Sequence, residues 1–93
     1  MIFQSSKKQP VIRHPQGHPV VVIVSYNTVG DFVPRYFCIE DDNSELFKYQ
    51  VSSIKATKDK LMVRAFYCTY DTECVRNDIV LIFDITKCRW VIG

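Results

Sequence analysis

The sequence predicts an all-β domain, built mainly from short antiparallel strands. Runs of β-branched and aromatic residues recur along the chain, and residues 20–26 form the densest of them. Polar segments rich in turn-forming residues, such as 27–31 and 41–45, separate these runs. No stretch keeps a helical period over the length of an extended helix, so the pattern predicts no helical layer.

The first two strands follow directly from this pattern. Residues 20–26 predict a strand that ends at the Asn- and Gly-containing turn 27–31, and residues 32–40 resume the strand character. Pro34 cannot donate a ladder hydrogen bond, so the second strand is expected to begin there or to lie at an edge. The acidic segment 41–45 has the length and residue types of a hairpin loop.

Residues 46–57 fit two structures. Phe47, Tyr49 and Val51 alternate as in a strand, while Phe47, Val51 and Ile54 also fit helical spacing, with Ser44 as a candidate N-cap. Two adjacent serines and several β-branched or aromatic residues favour the strand, and the helix stays open as the alternative.

The second half of the chain predicts three more strands. A polar turn at 58–60 precedes a long strand at 61–70, and a polar loop at 71–78 precedes a central strand at 79–85. A turn at 86–88 leads to a last strand at 89–92. Such short connections predict an antiparallel meander, because a parallel crossover needs a dozen or more residues. The preferred architecture is a small SH3-like barrel or a strongly bent meander of five to six strands, since closure hides the two sheet edges.

Size and charge indicate one nearly neutral domain with a basic arm. The 93 residues suit a single domain. Residues 1–18 contain three of the twelve basic residues and no acidic one, so residues 19–93 hold nine basic against ten acidic side chains. We therefore predict a flexible basic arm at 1–18, able to contact an acidic partner, and a β domain at 19–93. A duplex-DNA binder normally carries its basic face on the domain itself, which argues against that class.

The four cysteines are expected to be reduced. The first residues contain no apolar run of signal-peptide length, and no segment reaches the roughly 18–20 apolar residues of a membrane span. The chain is therefore predicted to be soluble and cytoplasmic, with Cys38, Cys68, Cys74 and Cys88 as free, mostly core thiols. Whether Cys68 and Cys74, six positions apart, ever pair stays open.

No catalytic or cofactor motif is present in the sequence. The cysteines include no close C-x-x-C pair, and both histidines, His14 and His18, lie in the arm. A Gly-x-Ser-x-Gly elbow and a Gly-rich phosphate loop are missing, and the acidic segment 41–45 lacks EF-hand spacing. The sequence thus predicts a protein that is not an enzyme and holds no metal or cofactor.

A candidate partner surface comes from the aromatic content. The chain has more Tyr, Phe and Trp in its strands than a small core accommodates, and the remainder would suit docking or stacking beside arginines. The candidate residues are Arg35, Tyr36, Tyr49, Arg64, Tyr67, Tyr70, Arg89 and Trp90.

Two functions fit this surface. The first hypothesis is a non-enzymatic module that binds a protein partner or a second copy through an aromatic surface or an open edge strand. The second is a small barrel that binds single-stranded nucleic acid or RNA, with Arg35, Arg64 and Arg89 on one face with exposed aromatics. Neither involves a membrane.

Several segments also carry a resemblance. Pro19-Val20-Val21-Val22-Ile23, Ser25-Tyr26, Gly30, Pro34-x-Tyr36-Phe37, Tyr49-x-Val51-x-x-Ile54-Lys55, Phe66-x-Cys68 and Trp90 together resemble small uncharacterised single-domain β proteins of Gram-positive bacteria, over about residues 19–92. This resemblance implies a fold and no particular activity. A strand followed by Tyr26, Gly30, Pro34 and Arg35, and then by a Val51-x-x-Ile54-Lys55 strand, is also similar to WYL domains, the SH3-like sensor modules of bacterial regulators. This similarity implies small-ligand sensing.

Overall fold

The described part of the chain is an antiparallel β meander. The computed structural model describes residues 16–40 and 44–93, which contain no helix. The six strands are β1 (Val21–Tyr26), β2 (Phe32–Glu40), β3 (Leu46–Lys60), β4 (Val63–Thr72), β5 (Val75–Asp84) and β6 (Arg89–Ile92). They follow one another in a single sheet in chain order, each antiparallel to the next, and the sheet curls into a half-barrel. The predicted all-β meander is therefore confirmed.

The third strand settles the question left open at residues 46–57. β3 runs as one continuous strand of 15 residues, so the strand prediction is confirmed and the helical alternative is wrong. Its first residues pair with β2, whereas Val51 and the residues after it pair with β4. Two register shifts, between Val51 and Ser53 and between Ile54 and Ala56, lie just past this change of partner. Irregular pairing of this kind bends a strand, which lets β3 turn the corner of the curled sheet.

Two predicted connections are wrong in position. Residues 58–60 belong to β3, and the turn is Leu61-Met62, between the paired residues Lys60 and Val63. Residues 71–78 are mostly strand, with only two residues, 73 and 74, between β4 and β5. Polar sequence misled the prediction because these hairpins continue beyond the core, where charged side chains pair across strands instead of ending them. Arg76 Nε, for example, donates to Asp71 Oδ1 at 3.0 Å.

The first hairpin agrees with its sequence. The Asn27 side-chain oxygen accepts the N–H groups of Val29 and Asp31, both at 3.0 Å, and Gly30 supplies a φ of 90°. Pro34 lies in the part of β2 that precedes its pairing with β3, so its missing N–H removes no bond to that strand. The prediction for Pro34 is nevertheless wrong, because β2 begins at Phe32 and lies between β1 and β3 instead of at an edge. Of the predicted hairpin loop 41–45, residues 41–43 lie outside the described residues.

The core lies inside the curl and is rich in aromatic rings. Its buried cluster consists of Phe37, Tyr49, Phe66, Cys68, Tyr70, Ile79 and Leu81. The Phe37 ring meets the Tyr70 ring edge-on at 4.9 Å and stacks on the Tyr49 ring at 5.5 Å. Offset and edge-to-face contacts of this kind are the favourable arrangements of aromatic pairs.

The cysteine prediction is only partly right. Cys38, Cys68, Cys74 and Cys88 are all free thiols, and Cys68 and Cys74 are not joined. Only Cys68 lies in the core, whereas Cys74 and Cys88 are exposed at turns, so the expectation of mostly buried thiols is wrong for them. Two-residue and four-residue turns leave little room for a side chain to reach the interior.

The chain ahead of β1 reaches the last strand of the meander. The Ile92 N–H donates to the His18 carbonyl at 2.9 Å, the Gly17 N–H donates to the Ile92 carbonyl, and Pro19 forms a bridge with Val91. Residues 17 and 18, which the sequence places in the arm, therefore take part in the sheet. Residues 1–15, which carry the basic side chains of that arm and His14, lie outside the described residues.

Candidate functional site: an open sheet edge beside an apolar cavity

Two of the predicted partner-surface residues are core residues. Tyr49 and Tyr70 are 6% and 1% exposed, and their rings lie 5.3 Å apart. Strand alternation places both on the inner face, with Phe37, so neither ring is available to a partner. Their assignment to a surface is therefore wrong, because aromatic content alone does not reveal which face of a strand points inward.

Trp90 and Arg64 contribute to an aromatic cluster at one end of the curl. The half-buried Trp90 ring lies 5.3 Å from the Phe83 ring and 5.6 Å from the Phe66 ring. The Arg64 guanidinium lies 5.4 Å from the centre of the Phe32 ring. Its Nε donates to Asp59 Oδ1 at 2.7 Å, and this bond raises the Arg64 pKa. Arg64 is thus engaged within the chain.

The other four candidates lie on different parts of the surface. The Lys48 ammonium lies 4.8 Å above the Tyr36 ring, on the outer side of β2 and β3. The Lys58 ammonium lies 5.4 Å above the Tyr67 ring, on the outer side of β3 and β4. The remaining two candidates, Arg35 and Arg89, are both exposed. Arg35 lies in β2 between Pro34 and Tyr36, which pair with β1, and has no paired residue in β1 itself. Arg89 is the first residue of β6.

The three arginines do not share one face. In the sheet, Arg64 pairs with Phe83 and Phe83 with Trp90, whereas Arg89 pairs with Asp84 in the adjacent row. Adjacent rows of a sheet point to opposite faces, so Arg64 and Arg89 lie on opposite sides. The arrangement expected for base stacking beside three arginines is therefore not present.

The described residues reveal a different site, at β1. The Val20 N–H donates to the Trp90 carbonyl at 3.1 Å, and beyond this bond the described residues pair β1 only with β2. The His18 carbonyl and the Val20 N–H both point to β6. Because backbone groups alternate sides along a strand, the N–H and C=O groups of Val22, Val24 and Tyr26 point to this same, open side.

The side chains of this edge are apolar and uncharged. Residues 20–26 contain only Val, Ile, Ser and Tyr. Val21 and Ile23 are 56% and 44% exposed and lie on the outer face. Edge strands that do not pair usually carry Lys, Pro or an inward charge that blocks strand addition. β1 carries none of these, so its edge is a ready template for another strand.

A cavity of about 370 Å³ lies beside the start of this edge. Its wall is mainly apolar and comes from the beginning of β1, the end of β2, the beginning of β3 and β6. The apolar lining includes Val20, Val22, Ile39, Leu46, Trp90 and Ile92, and the polar lining is His18, Glu40 and Arg89. This volume is at the lower end of small-molecule pockets and is ample for one or two side chains of a bound segment.

Away from this edge, the perturbed thiol and phenol groups lie in the core. Burial raises the pKa of the Cys68 thiol to about 11, which keeps it protonated at neutral pH. Burial, with a smaller effect from Tyr49, raises the pKa of Tyr70 to about 12. Within ranges 16–40 and 44–93, no three His, Cys, Asp or Glu side chains cluster so as to hold a metal ion. No helix in those ranges is long and apolar enough to cross a membrane.

The predicted partner surface does not include the residues of this edge and cavity. Val21, Val22, Ile23 and Leu46 lie in predicted strands without a predicted functional role. A signal for them was present, because residues 20–26 form an uncharged β-branched run at one end of a predicted meander. The first strand of a meander is an edge unless the sheet closes completely.

No protein-family model matches this chain, and no curated protein or solved structure shows significant similarity to it. The resemblances drawn from the sequence segments therefore stay predictions.

Proposed function

We propose that this domain is a non-enzymatic protein-interaction module that binds an extended segment of a protein partner along β1. One observation supports it above all others. The open backbone groups of Val22, Val24 and Tyr26 lie on an uncharged edge, and that edge begins at the apolar cavity.

The recognition would combine backbone and side-chain contacts. A partner strand that adds to β1 forms main-chain hydrogen bonds with the open groups, which supply affinity with little sequence dependence. Alternate side chains of that strand point inward, and those near Val22 meet the cavity wall formed by Ile39 and Trp90. The side chains between them lie beside Val21 and Ile23 on the outer face.

The chemistry of the edge selects the partner segment. A charged side chain facing the cavity would lose water against mostly apolar walls, and this loss is unfavourable without a paired charge. The preferred segment is therefore extended, apolar at alternate positions and uncharged where it crosses β1.

The test uses the full chain and a displayed library of extended peptides. Enriched peptides are titrated into the labelled protein, and the amide signals of the chain are followed by NMR. We expect the largest shifts at residues 22–26 and in the Trp90 indole. Ile23→Lys places a charge on the exposed outer side of the edge and should reduce peptide affinity by about tenfold or more.

A matched control is available at Val75, which is 58% exposed at the start of β5, away from the site. Val75→Lys makes the same change of charge and should leave peptide binding unchanged. Equal losses in both variants, or peptide-induced shifts confined to other strands, would contradict strand addition at β1. A salt-dependent shift of the signals of Tyr36 and Tyr67 with single-stranded oligonucleotides, and none with peptides, would instead support the nucleic-acid hypothesis.

A further inference from the structure

We infer that the segment bound at β1 is β1 of a second copy of this chain, paired antiparallel about a two-fold axis that passes beside Val24. This inference rests on the proposed function and names its partner. β1 is itself the kind of segment that the site selects, because it is extended, uncharged and apolar at alternate positions.

The described pairing determines the register of such a dimer. The bridge between Pro19 and Val91 places Val21 opposite Arg89, the first residue of β6, so β6 covers the edge as far as Val21. The open section therefore begins at Val22, and β1 ends at Tyr26. The midpoint of this section is Val24. A two-fold axis there pairs Val24 with its own copy and Val22 with the second copy's Tyr26.

The hydrogen bonding of this register is complete. Val22, Val24 and Tyr26 are the residues whose backbone groups point to the open side, and all three become hydrogen-bonded positions of the new ladder. Each of the three positions then donates one N–H and accepts at one C=O across the interface. A register shifted by one residue would set these groups against residues whose own groups point to β2, so the pairing would fail.

The same register brings an aromatic ring of the second copy to the cavity. Tyr26 is 69% exposed, although its ring lies 5.6 Å from the Phe32 ring. Opposite Val22, the second copy's Tyr26 lies next to the cavity that Val22 and Trp90 line. A tyrosine suits this position because its ring packs on apolar walls such as Val22 and Trp90, while its hydroxyl is left for water or a polar partner.

Charge does not oppose this pairing. Residues 22–26 carry no ionisable group except the Tyr26 phenol, so no like charges meet across the axis. The interface is small, with five strand residues from each copy, and small interfaces give weak, reversible association. The dimer should therefore form in the upper micromolar range and separate on dilution.

Sedimentation equilibrium of the reduced full chain, from about 10 μM to about 1 mM, tests the inference. The expected mass rises from the 10.9 kDa of one chain to twice that value, and the Trp90 emission changes over the same concentration range. Tyr26→Ser removes the ring that lies next to the second copy's cavity without removing a buried group, and should weaken the dimer by about tenfold or more.

Val24 provides a matched pair of variants for the hydrogen bonds. Val24→Pro removes an N–H that points to the open side and should abolish the dimer, whereas Val24→Thr keeps the N–H and the β-branched shape and should stay dimeric. Circular dichroism establishes whether each variant is folded. If Val24→Pro is unfolded, the Tyr26→Ser variant alone tests the dimer.

The outcomes separate this inference from the proposed function. A chain that stays monomeric to 1 mM while peptides shift the amides of β1 overturns the inference and leaves strand addition intact. A dimer that persists in Tyr26→Ser and Val24→Pro overturns the inference as well, because another surface then holds it. A monomer whose β1 amides respond to no peptide overturns both.

Discussion

The backbone N–H of Val20 donates to the carbonyl oxygen of Trp90 at 3.1 Å. In the described part of the chain, the segment that leads into β1 forms backbone hydrogen bonds with β6 at residues 17, 18 and 20. The bond at Val20 is the last of them before β1 continues towards Tyr26. On one side of it the two ends of the meander are paired. On the other side, the chain turns at Ile85–Cys88 before β6 begins, and β1 continues alone beside β2. This bond therefore marks where the pairing of β1 with β6 stops and the open edge begins.

Hydrogen exchange should reveal the open edge directly. In dilute protein, the amides of Val22, Val24 and Tyr26 should exchange at least about tenfold faster than those of Val21 and Ile23, which point to β2. NMR-detected exchange into D₂O gives the rates residue by residue, and the Val20 amide serves as the protected reference on the same side. Uniform slow exchange along β1 in dilute protein would show that the edge is already covered within the chain.

Tyr49→Phe should leave the protein as stable or make it more stable, by up to about 1 kcal/mol. Among the described residues, the buried Tyr49 hydroxyl has no hydrogen-bond partner, and an unsatisfied buried hydroxyl is unfavourable. Urea unfolding measures the difference. Phe37→Leu, at the ring stacked on Tyr49, is the comparison variant and should lose about 1 kcal/mol or more. A loss of similar size in Tyr49→Phe would mean that the hydroxyl is satisfied.

Met62→Gly should stabilise the β3–β4 hairpin by about 0.5–1 kcal/mol. Met62 has a φ of 80°, a conformation that glycine adopts without strain, and its side chain is 53% exposed. The side chain therefore adds little to the core, while the backbone conformation favours glycine. Urea unfolding of the variant and of the unchanged chain measures the gain. A clear loss of stability would show that the Met62 side chain makes a contact that matters for folding.

Stability should fall as the pH rises between about 9 and about 11. Burial raises the Cys68 pKa from 9.0 to about 11, so the folded state keeps a proton that the unfolded chain releases earlier. A raised folded pKa stabilises the protein below the unfolded value, and this contribution is lost as the pH climbs towards the folded value. The raised pKa of Tyr70 acts in the same direction at slightly higher pH.

Cys68→Ala isolates the thiol contribution. Its stability at neutral pH should be lower, because a buried group is removed, but its decline from pH 9 to 11 should be shallower than that of the unchanged chain. Mass spectrometry of alkylated native protein at pH 8 adds a second measurement, since exposed Cys74 and Cys88 should react and Cys68 should not. Equal slopes in the two proteins, with rapid alkylation of Cys68, would contradict the burial of this thiol.

The local chemistry of the chain was enough to determine the class of fold. β-branched and aromatic runs separated by Asn, Gly and short polar segments specify strands and tight turns, and short connections permit only an antiparallel order. Asn27 and Gly30 illustrate this, because their preferred conformations produce the first turn without help from distant residues. The same local reading misplaced the turns at Leu61-Met62 and at residues 73–74, where cross-strand ion pairs such as Arg64–Asp59 keep charged segments extended.

Only the tertiary structure decided which residues form the candidate site. Whether Tyr49 points into the core or outward depends on the register between β2 and β3, and a one-residue change would reverse it. The open edge depends on where β6 stops covering β1, a relationship between residues about 70 positions apart that no local pattern encodes. The side chains of residues 20–26 predicted a strand by themselves. Only the contact between Val20 and Trp90 determined that this strand leaves one edge unpaired beyond Val21.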